Sequence, residues 1–577
     1  MQEIPTTILV LIAGILIMGV ALAKFAERYR VPHPIPLVLA GLLMGRVLVI
    51  LSPDEQLVQI AGFDFIAQLT LATVLFYAGL TLNLRNLRLS IVNVMLLATL
   101  GVLATSLIGG FAIQASTSAL GFNEGVGIGI SAFLIGAILS PTDPAALFSV
   151  LESGGVRVKR KLFSILEGEA VLNDATSVIL VILVFEPIVL ASLKNQPGSV
   201  FLGPIIAEFF VSMGLGVVLG YIVARIIGWA ILKGGDDTNI AILTATTPFF
   251  AYGFGEIFAY IPAFPIHPGA LAAVFAGIFM ANARRIGLQP LPQQSMRGIM
   301  KNVSFFFEIV IFILLGYSLS VPLIEGDNST ETIAFIIANP AILVLGLVTA
   351  VLVIFVARPV SVFLVTAGDR RMDLKDRFFL SWAGVKGVAS AALAAIAVTV
   401  IIQESHAPAY VAAIKYVVPT IYAIVFIVLI VSLFLQGLTT TYFANFLGLT
   451  EKQDVTKEIT IHRDATRQAL LHLVDQYTEG KIDSNIYSRL KAELEEEIFN
   501  LEDELRRVVS ERRSRIKELR IREEIFRKKL EFYEIQHESG KISDAIFQDL
   551  KNELTAQIEE VINRVTIQEQ RITREDE

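Results

Sequence analysis

The chain has 577 residues, 54% of them hydrophobic, with a mean hydropathy of +0.66 and no cysteine. Soluble domains are roughly half apolar, so this composition excludes an ordinary soluble fold and makes the bilayer the solvent. The formal net charge is only −7, but long apolar runs fill residues 1–450 while Lys, Arg and Glu crowd residues 451–577, which divides the chain into a transmembrane domain and a polar tail.

A spanning helix needs about 20 mostly apolar residues. Thirteen such segments are expected, beginning near Pro5, Pro34, Ile66, Ser90, Gly125, Phe163, Phe201, Thr238, His267, Val303, Thr332, Arg377 and Lys415. The first lacks a basic leader and a small-residue cleavage pattern, so it reads as a span and not a signal peptide. Short-loop Lys and Arg set orientation. They gather on one side, at Lys24, Arg28, Arg30, Arg85, Arg88, Arg157, Lys159, Arg160, Lys161, Arg225, Lys233, Arg284, Arg285, Arg297, Lys301, Arg370, Arg371, Lys375 and Arg377. The opposite loops hold Lys194 and Lys415, with Arg46 late in the second span, and carry the acids Asp54, Glu55, Asp64, Glu325, Asp327 and Glu404. The expected topology has the N-terminus outside and the tail in the cytoplasm.

A charge at mid-bilayer costs on the order of 3 kcal/mol on insertion scales, so it usually faces a cavity or a partner and has a task. The fifth span carries Ser140-Pro141-Thr142-Asp143-Pro144 in an apolar stretch. Each proline removes a backbone donor and clashes with the preceding turn, so a helix broken in mid-membrane is expected. Freed carbonyls near Thr142 can coordinate a cation, and Asp143 can cap the second half-helix. In the sixth span Glu169 and Asn173 lie one turn apart, with Asp174 about 100° further round. Protonation and cation binding exclude each other at one carboxylate, and Asp174 is the choice for that role.

Glu256 stands in the eighth span, Glu308 in the tenth and Arg358 in the eleventh. In the twelfth, Gly384 and Gly387 flank Lys386, and such glycines weaken a helix and admit a close backbone. If the breaks of the fifth and twelfth spans cross, Asp143 can offset positive helix N-termini and Lys386 negative C-termini. With the seventh span as connector, the two broken helices are the fifth of each six-helix half, the inverted-repeat plan of many secondary transporters.

The tail, from about Glu451, has Leu and Ile at helical spacing among charges. Gly480-Lys481-Ile482, Ile486, Leu490, Lys491, Glu493, Leu494 and Ile498 recur as Gly540-Lys541-Ile542, Ile546, Leu550, Lys551, Glu553, Leu554 and Ile558. Each Gly can close one helix, and Asp483 or Ser543 can open the next, which predicts two helical hairpins. Between them a stretch holding Arg506, Arg507, Arg512, Arg513, Arg515, Lys517, Arg520, Arg527, Lys528 and Lys529 reads as a solvated helix with i,i+4 ion pairs. Anionic lipid or a regulator is the alternative partner for it.

Thr142-Asp143-Pro144, Glu169 with Asn173-Asp174, Ala357-Arg358-Pro359 and Trp382-Ala383-Gly384-Val385-Lys386-Gly387 together resemble the monovalent cation/proton antiporter superfamily, in its branch of bacterial sodium/proton antiporters related to animal sodium/hydrogen exchangers. The resemblance covers about residues 5–450. It implies an all-α polytopic homodimer with crossed fifth and twelfth helices, in a core that moves by an elevator-like step. It implies exchange of Na+, with K+ or Li+ as other candidates, for H+, no cofactor, and a bacterial inner-membrane location. Asp174 would carry the ion or proton, Thr142 would lend its carbonyl, and Asp143 and Asn173 would shape the crossing. Glu169 would pair with Arg358, and Glu256 and Glu308 match accessory acids. Asn173 before Asp174 goes, in that superfamily, with electroneutral one-for-one exchange.

Three residues depart from the family pattern: Ala170 where Ser is frequent, Tyr77 where many bacterial members carry an acid, and Lys386 where Arg is usual. A K+/H+ antiporter is the nearest rival reading. A cation channel would need a filter such as a ring of carbonyls, and no Gly-rich pore loop is evident. An intramembrane enzyme would need its acids arranged as an acid/base dyad, and nothing in the sequence points to nucleic acid.

Overall fold

Hydrocarbon offers no water to backbone polar groups, and a helix satisfies them within one segment, so apolar runs of this length fold as helices. The computed structural model describes residues 6–29, 31–51, 63–82, 84–87, 90–120, 128–143, 156–193, 202–234, 236–261, 266–289, 291–320, 332–403, 408–452, 455–539 and 541–576. Expected features at Pro5, Arg30, Asp54, Glu55, Arg88, Pro144, Lys194, Glu325, Asp327, Glu404 and Gly540 lie outside them. The chain forms two compact units, Met1–Glu451 and Lys452–Glu577.

The first unit begins with α1 (Thr6–Tyr29), α2 (Pro34–Leu51), α3 (Phe63–Thr81), α4 (Ile91–Ala119) and α5 (Ile128–Ile138). It continues with α6 (Arg160–Ile179, prolonged by Glu186–Leu193), α7 (Leu202–Gly234), α8 (Asp237–Glu256), α9 (Gly269–Ala281) and α10 (Gln293–Ser320). The last are α11 (Pro340–Thr366), α12 (Leu374–Trp382), α13 (Val388–Gln403) and α14 (Pro408–Ser432, prolonged by Leu438–Phe446). Among the described residues, eight helices are long and apolar enough to cross a membrane, and Ala13–Ala26, Pro34–Val47, Gly269–Ala281 and Val388–Gln403 are shorter apolar helices. α10 starts at Gln293, well before the expected Val303. Hydropathy marks only the part of a helix that sits in apolar surroundings, whereas the polar turn before it is equally able to be helical.

The expected all-α architecture is observed apart from one short strand pair among the described residues. Val156–Val158 (β1) and Thr450–Lys452 (β2) pair as a two-stranded sheet. β1 is a short Val-Arg-Val run, and β-branched residues suit a pleated strand.

Four helices are wound locally into π-turns: Leu97–Gly101 in α4, Leu180–Phe185 in α6, Val353–Ala357 in α11 and Leu433–Gly437 in α14. Such turns inside α-helices are frequent at functional sites.

Packing sorts the helices into two bundles. α1, α2, α3, α7, α8, α9 and α10 pack mainly on one another, α4, α5, α6, α11, α12 and α14 do likewise, and α13 packs on both groups and is counted with the second. Small residues set the closest approaches in the first bundle. A Cβ on Gly41 would meet the Ile313 carbonyl oxygen at 2.0 Å, and one on Gly316 the Val38 carbonyl oxygen at 2.0 Å, so α2 and α10 touch backbone to backbone. The bundles meet along a seam where α13 packs on α3 and α10, and α6 on α3 and α9.

On the loop between α11 and α12, Asp369 accepts from Asn93 Nδ2 at 2.7 Å, from the Arg371 amide at 2.9 Å and from Lys161 Nζ at 3.4 Å. These donors, Asn93 foremost, hold its carboxyl below the ordinary carboxylate range. A depressed folded value means stability that is complete above the ordinary pKa of about 3.9 and lost as pH falls through the folded value. Asp369→Asn is therefore expected to lower the melting temperature slightly at pH 7, with the difference vanishing in acid.

The second unit contains α15 (Val455–Thr478), α16 (Ser484–Glu538) and α17 (Asp544–Asp576). The two expected hairpins share one helix: α16 runs 55 residues and packs against both α15 and α17. Gly480 takes φ +70°, the left-handed C-cap conformation, and Asp483 Oδ1 accepts from the Ile486 amide at 2.9 Å. The sequence repeat is also a structural one. Tyr477 stacks on Tyr487 with centroids 4.2 Å apart, and at the equivalent turn His537 stacks on Phe547 at 4.4 Å. Within the basic stretch, the side chains from 503 to 518 lie outside the description, while Arg527 pairs with Glu523 at 2.8 Å and Lys528 with Glu531 at 2.7 Å.

Candidate functional site

α5 and α12, both in the second bundle, each run into a non-helical stretch. α5 ends at Ile138 and the chain continues without helix through Ser140-Pro141-Thr142-Asp143, as the prolines require. α12 ends at Trp382, and Gly384 to Gly387 are non-helical before α13 begins at Val388. The two interruptions are hydrogen-bonded to each other. The Asp143 amide donates to the Val385 carbonyl at 2.7 Å, while Lys386 Nζ donates to the carbonyls of Ser140 at 3.4 Å and Pro141 at 3.2 Å.

Lys386 is only 1% exposed. Its ammonium sits at the C-terminal end of α5, where carbonyls lack helical partners and the helix dipole is negative.

Close approach at this point depends on Gly387. A Cβ there would lie 2.1 Å from Asp143 Oδ2 and 2.4 Å from Asp143 Cβ. Gly387→Ala is expected to push the two interruptions apart, at about 1–3 kcal/mol, the usual cost of overpacking. Thermal unfolding in detergent measures the first effect and flux in proteoliposomes the accompanying loss of transport.

Side chains of the prolonged helix α6 bond the side chains of the first break, and those of α14 satisfy opened backbone of the second. On the α6 side, Asn173 Nδ2 donates to Thr142 Oγ1 at 2.8 Å, and the hydroxyls of Ser140 and Ser177 share a 2.9 Å bond. On the α14 side, Gln436 Nε2 donates to the Trp382 carbonyl at 2.8 Å, Ser432 Oγ donates to Gln436 Oε1 at 2.6 Å, and the Lys386 amide donates to Ser432 Oγ at 3.0 Å. Buried polar groups are normally paired in this way.

The exception is instructive. Oδ1 of Asp174 and Oδ1 of Asn173 are buried with no hydrogen-bond partner among the described residues. Asp143 and Lys386 are the charged groups whose fields reach Asp174. A carboxylate oxygen, an amide oxygen and the hydroxyl and carbonyl of Thr142 are hard oxygen ligands, the type that suits a small hard cation.

Glu169 and Arg358 meet one helical turn away. Arg358 Nη1 bonds Glu169 Oε1, and Nη2 donates to Oε2 at 2.9 Å and to the Leu380 carbonyl at 3.4 Å. Both residues are almost fully buried.

Glu256 and Glu308 are not brought to this place. Glu256 accepts from the Gly269 amide at 3.1 Å and bonds His267 Nδ1 at 2.7 Å. A carboxylate at the first residue of α9 is placed to cap that helix. Glu308, on α10, lies 3.5 Å from His33 Nε2 and accepts from Ser304 Oγ at 3.4 Å.

Sequence reasoning passes over Ser177, Ser432, Gln436 and Glu167. Glu167 is half-buried on α6, two turns before Asp174 and on the same face, with Arg297 as the nearby charge. Its charge within an apolar segment was the available signal. For Ser432 and Gln436 the only signal was two polar residues one turn apart late in the thirteenth apolar segment.

Known proteins resemble this chain in sequence and fold. The family described as sodium/hydrogen exchanger, transmembrane, matches residues 3–445. The chain is 28% identical over 437 residues to a probable Na+/H+ antiporter 2 of Methanocaldococcus jannaschii, an alignment covering 74% of this chain and 94% of that protein. It is 26% identical over 482 residues to a K+/H+ antiporter, NhaP, of Alkalimonas amylolytica, covering 81% of this chain and 71% of that one. The solved structure of the sodium proton antiporter MjNhaP1 of Methanocaldococcus jannaschii superposes with a TM-score of 0.61 at 21% identity, over 76% of this chain and 100% of that chain. The family match takes in every residue of both helix interruptions and of the buried ion pair, and the chain belongs to the sodium/hydrogen exchanger family.

Proposed function

We propose that the protein exchanges Na+ for H+ across a membrane, one for one, at Asp174. The observation that carries this reading is the buried carboxylate oxygen of Asp174, partnerless among the described residues, beside an opened helix and next to the equally unpartnered amide oxygen of Asn173. An ionised carboxylate in that place resists passage through hydrocarbon. A proton neutralises it, and so does one monovalent cation held with the oxygens of Thr142 and Asn173. Either loaded form can therefore move while the empty form cannot, and this is the coupling that exchange requires. Asn173 adds no second titratable acid, so each cation displaces one proton.

The movement we propose is an elevator step, in which the α4–α6 and α11–α14 bundle slides along the seam past the other bundle. Inverted six-helix repeats with thirteen spans and crossed fifth and twelfth helices are part of this reading, and three features support the symmetry. The interrupted helices are the fifth of each half; the π-turns fall in the fourth and sixth of each half; and the break nearest each sixth helix is satisfied by that helix, Asn173 and Ser177 in one half, Ser432 and Gln436 in the other. The N-terminus lies outside and the tail in the cytoplasm of a bacterial inner membrane, the protein works as a homodimer, and the tail is regulatory. Lys386 offsets the C-terminal end of α5, and Glu169 with Arg358 braces the core.

K+/H+ exchange is a second reading, favoured by the Alkalimonas relative and by Ala170, which contributes no hydroxyl to the ligand set. Proton movement driven by Na+ or by K+ in proteoliposomes, with and without a clamped membrane potential, decides between them. Na+-dependent flux indifferent to the potential is expected. A response to K+ alone would move the assignment to K+, and flux that follows the potential would overturn the one-for-one stoichiometry.

A further inference from the structure

Among the buried polar atoms away from the helix interruptions that lack a hydrogen-bond partner among the described residues, two belong to neighbouring residues of different bundles. The Tyr422 ring on α14 is fully buried, and its hydroxyl has no hydrogen-bond partner among the described residues. Oδ1 of Asp64, in the first turn of α3, is likewise buried without a partner. Asp64 is the charged group whose field reaches the Tyr422 hydroxyl. Its neighbour Phe63 lies parallel to the Tyr422 ring, with centroids 6.4 Å apart. α3 and α14 belong to different bundles, so the contact of Phe63 with Tyr422 crosses between the bundles and brings Asp64 close to the phenol.

An unpaired buried polar group costs about 1–3 kcal/mol. A phenylalanine at 422 would keep the ring contact with Phe63 and avoid that cost, and a neutral residue at 64 would avoid the other. Both oxygens can be ligands to a cation, and buried charges are normally paired or coordinate a metal. One monovalent cation between the carboxylate and the phenol relieves both penalties at once.

The place along the seam is also informative. Tyr422 precedes Ser432, the residue that holds the Lys386 amide, by ten residues, or about 15 Å of helix. That is about half of the ~30 Å hydrocarbon thickness. Asp64 stands at the end where α3 begins, and Tyr422 lies on the stretch of α14 that precedes Ser432, on the side away from the loops rich in Lys and Arg.

We propose that Asp64 and Tyr422 form a second cation site at the outer end of the seam, taking a monovalent cation between the external solution and Asp174. This rests on the exchange reading and on its orientation. The site is closed in the present conformation, and sliding of one bundle past the other would bring it into line with the outer path.

The test uses the full chain in proteoliposomes of single orientation, with Na+ titrated separately at each face. Asp64→Asn and Tyr422→Phe are compared with the parent; the second removes one oxygen and keeps the ring, so its folding is secure. The expected result in both is an apparent KM for Na+ about fivefold higher at the outer face, the equivalent of one lost polar ligand, with the inner-face KM and saturated turnover unchanged. An outer KM equal to that of the parent, or equal shifts at the two faces, overturns the second site. So does a change confined to proton dependence. If the parent chain itself shows no cation-dependent exchange, the exchange reading fails instead, and the two failures are distinguished by that control.

Discussion

Asp174→Asn is expected to abolish cation-driven proton movement in proteoliposomes while the chain still inserts and purifies at parental yield. The amide keeps the size and shape of the side chain but can neither take up a proton nor carry the charge that a cation neutralises. No structural bond is lost at Oδ1, because that atom has no partner among the described residues. Asn173, its neighbour, does have one, holding Thr142 at 2.8 Å, so Asn173→Ala should disturb the break itself and lower both stability and transport. The contrast is diagnostic: a residue that carries the ion loses function alone, whereas a residue that shapes the site loses both. Retained exchange in Asp174→Asn would place the coupling carboxylate elsewhere, with Glu167, two turns away on the same face of α6, the first alternative to examine.

The second large effect is expected at Glu169 and Arg358. Each is almost fully buried, and the fork of the guanidinium meets both carboxylate oxygens. Removing one partner leaves the other as an uncompensated buried charge, which costs about 3–5 kcal/mol, whereas replacing both by apolar residues of similar volume is often close to neutral. Glu169→Gln and Arg358→Met should therefore each lower thermal stability in detergent sharply, and the double variant Glu169→Leu with Arg358→Met should recover much of the loss. Single variants as stable as the parent would remove the pair from the framework of the core. The pair joins α6 to α11, and Arg358 also reaches the Leu380 carbonyl of α12, so its loss should loosen the hold of three helices on one another.

Much of this was readable in the residues. The two helix interruptions follow from Pro141 beside Thr142-Asp143 and from Gly384 and Gly387 around Lys386, because proline and glycine act on the backbone wherever they stand. The buried acids, Arg358 and Lys386 drew notice because charge in hydrocarbon is expensive. Other features were not readable, and the reasons differ. Glu256 carries the same sequence signal as Asp174, yet it caps α9 beside His267. A carboxylate in an apolar run announces a task without saying which, since that depends on the helix end it meets. Ser432 and Gln436 gave almost no signal, because serine and glutamine are common enough in apolar helices. Their importance lies in the opened ends of α12 and α13, which only packing brings beside them.

The sequence by itself determined that the chain lies in a bilayer, that its tail is a helical repeat, where two helices must break, and which acids stand in hydrocarbon. These are local properties, settled by composition, periodicity and the backbone chemistry of a few residues. Only the tertiary structure decided that the two breaks join through Asp143 and Val385, that Lys386 reaches the end of α5 from another helix, that the tail hairpins share α16, and that Phe63, beside Asp64, stacks on Tyr422 across the seam. Each of these joins residues far apart in the chain, and such pairings are fixed by which surfaces bury one another, information that no single segment contains.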